Sequence, residues 1–326
     1  MLSPSCAVST GNFVKNKTAC RETSSHDASN SRSVIPCGTL RLQVQPRTPK
    51  VPSTGRIRYL EAKPPGSARS RGALVLLHAF PLNARMWEPQ LSMAENGWHV
   101  LAPHFRSMDD SAAAGPESAN LPLSWPTPTV DDYAGDVIDL LDSLKIEDAV
   151  FVGLSMGGYV SFSLFRLAAR YVRGLVLADT RATADTPEAV EGRKRLLGVL
   201  RDRGSAAVAD EMIPKLLGAT TQREQPAVAA AVRKLALSNP PSAIAGAINV
   251  LMTRPDSTET LGSIHCPTLI IVGDEDTVTP PAMSRDMLRA IGGSELTVLP
   301  KVGHLASIET PELFNAALAR FLEHRI

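Results

Sequence analysis

Residues 149–167 run AVFVGLSMGGYVSFSLFRL. Ala149 to Val152 is a short apolar run suited to a buried strand, and Tyr159 to Leu167 is an apolar stretch suited to a helix. Between them lies a G-x-S-x-G pattern, Gly153-Leu154-Ser155-Met156-Gly157. Alone it is weak, because a chain of this length and composition shows such a pattern by chance about one time in ten. Its position between strand and helix strengthens it. A serine on a sharp strand-to-helix turn takes a strained backbone conformation, and its neighbours two residues away must lack bulk, which Gly153 and Gly157 supply. Such a turn lifts the Ser155 hydroxyl above the sheet at a helix N-terminus, where backbone N–H groups favour developing negative charge. A plain glycine-rich turn is the bland alternative, and the strand–turn–helix context disfavours it.

Outward from this turn the same alternation continues. Leu74 to Leu77, Val100 to Ala102, Val150 to Val152, Leu175 to Leu177, Leu269 to Val272 and Leu296 to Leu299 read as buried strands. Apolar runs without alternation suit a parallel sheet covered on both faces. Arg56 to Leu60 alternates polar and apolar like a half-buried strand, so ordered structure is expected from about Gly55. Thr129 with Asp132 predicts a capping box, followed by a helix with Tyr133, Val137, Leu140, Leu141 and Leu144 on one face. Thr310 is expected to cap a final helix that begins at Pro311 and buries Phe314, Leu318, Phe321 and Leu322. Strands alternating with helices predict a doubly wound, mostly parallel α/β sheet. Residues 187–255 break the alternation with four helical patterns and no strand, which predicts an all-helical cap inserted into a core of residues 55–186 and 256–326. Ser107 to Pro128, with four prolines, reads as a long loop of the kind that is often functional.

Composition narrows the function. The chain has 326 residues, 44% hydrophobic and 21% charged, the balance of a globular protein. No apolar run is long enough to span a bilayer as a helix. Aromatic residues make up 5%, which argues against stacking platforms for single-stranded nucleic acid. The net charge of +1 hides an asymmetry: residues 1–72 hold twelve Lys and Arg against three Asp and Glu, whereas residues 73–326 hold 22 against 30. Residues 1–54 therefore read as a disordered basic tail or a leader. They lack the apolar stretch of a secretory signal, and a Ser-rich, acid-poor start also fits an organelle transit peptide. Only Cys266 of the four cysteines lies outside that front, so no disulfide framework staples the body, which fits a reducing, cytoplasmic compartment. Nothing matches the common zinc, dinucleotide or P-loop motifs, so no metal and no cofactor is expected. The sequence does not set the oligomeric state.

A serine hydroxyl needs a base to become a nucleophile. Of seven histidines, His304 follows the last strand in Pro300-Lys301-Val302-Gly303-His304, at the same carboxyl edge of the sheet as Ser155. The acid that orients it should lie between the two in chain order, at a strand end. Asp274, Glu275 and Asp276 end the strand before the last one, and Asp179 closes the strand after the Ser155 helix. Strand-end geometry ranks Asp276 first, then Asp179, then Asp274, whose bland role is a cap or turn residue. A tetrahedral oxyanion needs two aimed donors. The expected ones are the backbone N–H groups of Met156 and of Phe80, in the loop His78-Ala79-Phe80-Pro81-Leu82. His78 reads as a hydrogen-bonded strand-end residue. Met86, Met93, Met108, Trp87 and Trp98 read as packing, and Trp125 as a residue that lines the pocket.

His78-Ala79-Phe80-Pro81-Leu82, Gly153-Leu154-Ser155-Met156-Gly157-Gly158, Gly273-Asp274-Glu275-Asp276 and Gly303-His304-Leu305-Ala306-Ser307-Ile308-Glu309 together resemble the α/β-hydrolase superfamily from about residue 56 onward. Within it the chain looks most like the 3-oxoadipate enol-lactonase and small-ester hydrolase branch. The resemblance implies Ser155 as nucleophile, Asp276 as acid, His304 as base, Phe80 and Met156 as oxyanion donors, and a helical cap over the site. It implies a small acyl ester, thioester or lactone as substrate; no nucleic-acid partner is expected, since only the basic front speaks for one. Perhydrolysis in the manner of cofactor-free haloperoxidases uses the same residues, and a non-catalytic ligand receptor is the non-enzyme alternative. Two departures stand out. Ala79 replaces the usual glycine after the motif's histidine, and His104-Phe105-Arg106-Ser107-Met108-Asp109-Asp110-Ser111 lacks the two glycines usual in the next loop.

Overall fold

The computed structural model describes residues 57–66, 70–106, 108 and 127–326. The expectations for residues 1–54, for most of the proline-rich loop and for Trp125 lie outside the described residues. The strands are β1 Tyr59–Ala62, β2 Ala73–Leu77, β3 His99–Pro103, β4 Ala149–Leu154, β5 Val172–Ala178, β6 Thr268–Gly273 and β7 Glu295–Leu299. The helices are α1 Val130–Leu144, α2 Met156–Ala168, α3 Pro187–Leu216, α4 Ala219–Glu224, α5 Pro226–Leu237, α6 Pro241–Thr253, α7 Thr258–Leu261, α8 Pro281–Ala290, α9 Ala306–Glu309 and α10 Pro311–His324. A 3-10 segment, Ala84–Asn96, joins β2 to β3.

The strands form one sheet in the order β1-β3-β2-β4-β5-β6-β7. Only β1 runs antiparallel to its neighbour; the other pairs are parallel. Successive side chains of a strand point to opposite faces, and here both faces are covered. Val75, Leu77, Phe151, Leu175, Leu177 and Ile270 pack with residues of α1, α2 and α8 on one side. Leu74, Leu76, Val150, Val152, Val176 and Ile271 pack with the 3-10 segment and α10 on the other. β2 and β4 are thus apolar and buried throughout because both of their faces are interior. Trp87 and Trp98 are buried in the second layer, and Trp87 lies against Phe314 with ring centroids 5.9 Å apart.

Some local expectations shift. Tyr59 and Leu60 are both buried, one in each apolar layer, so β1 is covered on two faces and is not half-buried. The strand at 295–299 is an edge strand that the helices cover only in part: Leu299 is buried and Leu296 half-buried, whereas Val298 is exposed. Thr129 and Asp132 do form the reciprocal capping box of α1. Thr310 takes the N-cap position of α10 but makes no side-chain cap bond, because its backbone leaves α9 immediately before. Between β5 and β6 the chain inserts α3 to α6. The two helices expected before residue 217 form one element with a kink at Gly204, whose φ of 78° suits glycine.

Candidate active site

The turn after β4 is held from three sides. Ser155 donates its N–H to Ala178 O at 2.9 Å, and its carbonyl accepts Gly158 N at 2.9 Å and the Thr180 hydroxyl at 2.8 Å. These bonds fix Ser155 at φ 54°, ψ −111°, outside the regions a non-glycine residue prefers and of order 1–3 kcal/mol above them. The flanking glycines are required sterically. A Cβ at Gly157 would lie 2.0 Å from Leu77 O, and one at Gly153 would lie 2.4 Å from Gly157 O.

His304 comes to this serine from the loop after β7. Its Nε2 lies 2.8 Å from Ser155 Oγ and its Nδ1 lies 2.8 Å from Asp276 Oδ2. All three residues are buried, with Ser155 the most accessible at 8%. Asp276 Oδ1 accepts the N–H groups of Val278 and Thr279, and Oδ2 also accepts the Thr279 hydroxyl at 2.6 Å. Burial opposes ionisation of Asp276, but His304 and the Thr279 donors outweigh it and hold the carboxyl below its ordinary range. An ionised carboxylate only accepts, so His304 Nδ1 carries the ring proton and Nε2 is free to accept from Ser155.

The competing carboxylates have other partners. Asp274 Oδ1 accepts Lys301 N at 2.6 Å and Val302 N at 3.3 Å, shaping the turn that leads to His304. Glu275 accepts the Thr220 N–H and hydroxyl, tying the loop after β6 to α4. Asp179 accepts Gly273 N at 2.9 Å and, weakly, Ala306 N at 3.4 Å. Burial, then the nearby Asp276, pushes its carboxyl well above the usual range.

The loop after β2 turns at Ala79–Leu82, closed by Leu82 N to Ala79 O at 2.9 Å. The N–H groups of Phe80 and Met156 make no hydrogen bond to any described residue. Met156 opens α2, where the first N–H groups have no partner within the helix. His78 Nε2 accepts Phe105 N at 3.0 Å, and Nδ1 therefore donates to Ala79 O at 3.1 Å. Full burial drives its pKa down to about 3, so it stays neutral and structural. The ring of Phe105 lies between His78, tilted at 41°, and Tyr133, stacked at 16°.

Three further polar residues support the site. Thr279 belongs to a local turn on Asp276 and also lies 3.2 Å from His304 Nδ1. Glu309 accepts Gly218 N and Gly303 N on Oε2 and Leu305 N on Oε1, pinning both sides of His304. Asn239, at the end of α5, donates to Pro81 O at 2.8 Å and accepts from Asn83, so the insert also steadies the loop of Phe80. Among the described residues no group of three His, Cys, Asp or Glu is arranged to hold a metal ion, and no helix is long and apolar enough to cross a membrane.

The family model described as the alpha/beta hydrolase family matches residues 74–317. The 3-oxoadipate enol-lactonase 2 of Acinetobacter baylyi is 26% identical over 251 residues, covering 76% of this chain and 87% of that protein. A thermophilic esterase from Thermogutta terrifontis is 33% identical and superposes with a TM-score of 0.73, covering 86% of this chain and 98% of its own. The enol-lactonase from Burkholderia xenovorans LB400 is 25% identical, with a TM-score of 0.71 and coverage of 82% and 97%.

Proposed function

The chain belongs to the alpha/beta hydrolase family, and from that premise we propose that it is a serine hydrolase of small carboxylic esters, thioesters or lactones. One observation carries the reading: the relay Ser155 Oγ to His304 Nε2 and His304 Nδ1 to Asp276 Oδ2, each step 2.8 Å. The esterase and enol-lactonase relatives support the same reaction class.

In the proposed reaction His304 Nε2 takes the hydroxyl proton as Ser155 Oγ attacks the carbonyl carbon. Asp276 keeps the imidazole in the right tautomer and stabilises the imidazolium. The unpaired N–H groups of Met156 and Phe80 receive the oxyanion, aided by the positive end of α2. His304 returns its proton to the leaving alcohol or thiol, leaving Ser155 acylated. Water, deprotonated by the same nitrogen, then attacks the acyl group, and Ser155 leaves with the proton. Placing the serine in a strained turn costs ground-state energy that the surrounding bonds offset, so no rearrangement is needed at the moment of attack.

The test is covalent labelling with a fluorophosphonate probe, together with a panel of short p-nitrophenyl esters and lactones. Wild type is expected to label at Ser155 and to hydrolyse the shorter esters, and Ser155→Ala is expected to do neither. Folded wild type that fails to label and turns over nothing would overturn the proposal in favour of a ligand receptor.

A further inference from the structure

Three consecutive residues at the end of β5 are bonded to all three loops of the relay. The Ala178 carbonyl accepts the Ser155 N–H at 2.9 Å, and the Thr180 hydroxyl donates to the Ser155 carbonyl at 2.8 Å. Asp179, between them, is fully buried and reaches the other way. Its N–H donates to Ile271 O at 2.9 Å, its Oδ1 accepts Gly273 N at 2.9 Å, and its Oδ2 lies 3.4 Å from Ala306 N. Gly273 ends β6 just ahead of Asp276, and Ala306 opens α9 just after His304.

The backbone explains why a side chain is used here. A parallel ladder in which Asp179 N donates to Ile271 O would continue with Gly273 N donating to the Asp179 carbonyl. Asp179 instead adopts φ 42°, a left-handed conformation that Asp and Asn tolerate better than most residues. The main chain leaves the ladder, and the carboxyl replaces the carbonyl on Gly273 N. The same side chain closes the histidine side. From Gly303 to Ala306 each backbone N–H has an acceptor: Glu309 for Gly303 and Leu305, Leu216 O for His304, and Asp179 for Ala306. Of these acceptors, Asp179 alone belongs to the strand end that holds Ser155.

We propose that Asp179 is a positioning residue of the relay: it locks the loop of Asp276 and the loop of His304 to the strand end that holds Ser155, and so sets the two 2.8 Å steps. It acts through Gly273 and Ala306, not on the reacting atoms. Burial, then Asp276 and Glu309, favours its neutral form. A neutral carboxyl ties the loops together without placing a second negative charge near the imidazole, which would favour the imidazolium and hold back the base. The catalytic side of this role rests on the serine hydrolase reading; the coupling of Asp179 to His304 is read without turnover.

Two arms test it. In the turnover arm, kcat and KM for a p-nitrophenyl ester are compared for wild type, Asp179→Asn and Asp179→Ala. Asparagine tolerates the left-handed backbone and keeps its oxygen on Gly273 N, but its NH2 meets the Ala306 N–H donor to donor. Alanine leaves both N–H groups without this acceptor. Because small displacements of a catalytic group are expensive in rate, kcat is expected to fall about tenfold in Asp179→Asn and about a hundredfold in Asp179→Ala, with KM near that of wild type. In the spectroscopic arm, NMR of protein carrying isotope-labelled histidine follows the Nδ1 proton of His304, assigned by its loss in His304→Gln. Its downfield resonance reports the bond to Asp276. It is expected to move in Asp179→Asn and to move further or vanish in Asp179→Ala.

Wild-type kcat and an unmoved resonance in Asp179→Ala, or in Asp179→Asn should the alanine variant not fold, would overturn the positioning role. A change confined to KM would overturn it as well. A fall in Asp179→Asn as deep as that of Asp276→Asn would make Asp179 the acid of the relay and refute its assignment as a support. Wild type that neither labels with the fluorophosphonate nor hydrolyses any ester, while the resonance still answers to Asp179, would overturn only the serine hydrolase reading.

Discussion

Replacing Asp276 by Asn tests the relay at its most constrained point. Asp276 Oδ1 accepts two backbone N–H groups, from Val278 at 2.8 Å and Thr279 at 3.0 Å. An asparagine must turn its carbonyl oxygen to that pair, because the amide NH2 there would face two donors and leave both N–H groups unsatisfied, at about 1–3 kcal/mol each. The NH2 is then forced to the Oδ2 position, 2.8 Å from His304 Nδ1. The Thr279 hydroxyl can rotate and accept from it, but the imidazole can answer only by releasing its Nδ1 proton and carrying one on Nε2. Nε2–H then points at Ser155 Oγ, and the base is gone. With the geometry kept and the tautomer reversed, kcat is expected to fall about 10⁴-fold, or about 5.5 kcal/mol in barrier, in steady-state hydrolysis of a p-nitrophenyl ester. The fold should hold. Because the folded carboxyl titrates below its unfolded value of about 3.9, ionised Asp276 stabilises the native state above that pH and the contribution disappears as pH falls through the lower folded value. The Tm difference between wild type and Asp276→Asn should therefore close in acid. A folded Asp276→Asn enzyme within tenfold of wild-type kcat would refute the reasoning.

The other predictions concern the supports of this relay. Gly157→Ala places a methyl 2.0 Å from Leu77 O, so β2 or α2 must move; a loss of about 3 kcal/mol or more in urea unfolding is expected, and unchanged stability would contradict the steric account of the turn. Glu309→Ala strips the acceptor from three buried N–H groups around His304. It should lower stability by about 3 kcal/mol and depress kcat more than KM, with Glu309→Gln retaining part of both. Asp179 titrates above its unfolded value, so its native-state contribution is full below about pH 4 and is lost as pH rises toward the folded value. Asp179→Asn should accordingly gain in Tm relative to wild type between acid and neutral pH, and a difference independent of pH would show that Asp179 is ionised in the folded protein.

What the sequence exposes and what it hides follow from the range of the interactions. The turn around Ser155 is legible because strand, glycines and helix are contiguous, and the order of serine, acid and histidine follows from strands that share one carboxyl edge. The insert is legible because four helical periods occur with no strand among them. Glu309 is different: its partners at Gly218 and Gly303 are set by tertiary packing, and an acidic residue near the start of a helix looks like ordinary dipole compensation. Asn239 sits 158 residues from Pro81 and nothing local marks it. The cover of β1 and the exposure of β7 depend on which helices extend over each edge, a property of the whole sheet. Thr279 was within reach, since an Asp followed by Thr three positions on is a turn signature.

The seam between the insert and the His304 loop has a mechanical consequence. His304 N–H bonds Leu216 O at 3.0 Å, and the backbone at Gly303 passes so near Gly218 that a Cβ there would lie 2.1 Å from the Gly218 nitrogen. The C-terminal end of α3 and the start of α4 are thereby stitched to the backbone that carries the imidazole, so a displacement of either is passed directly to the ring.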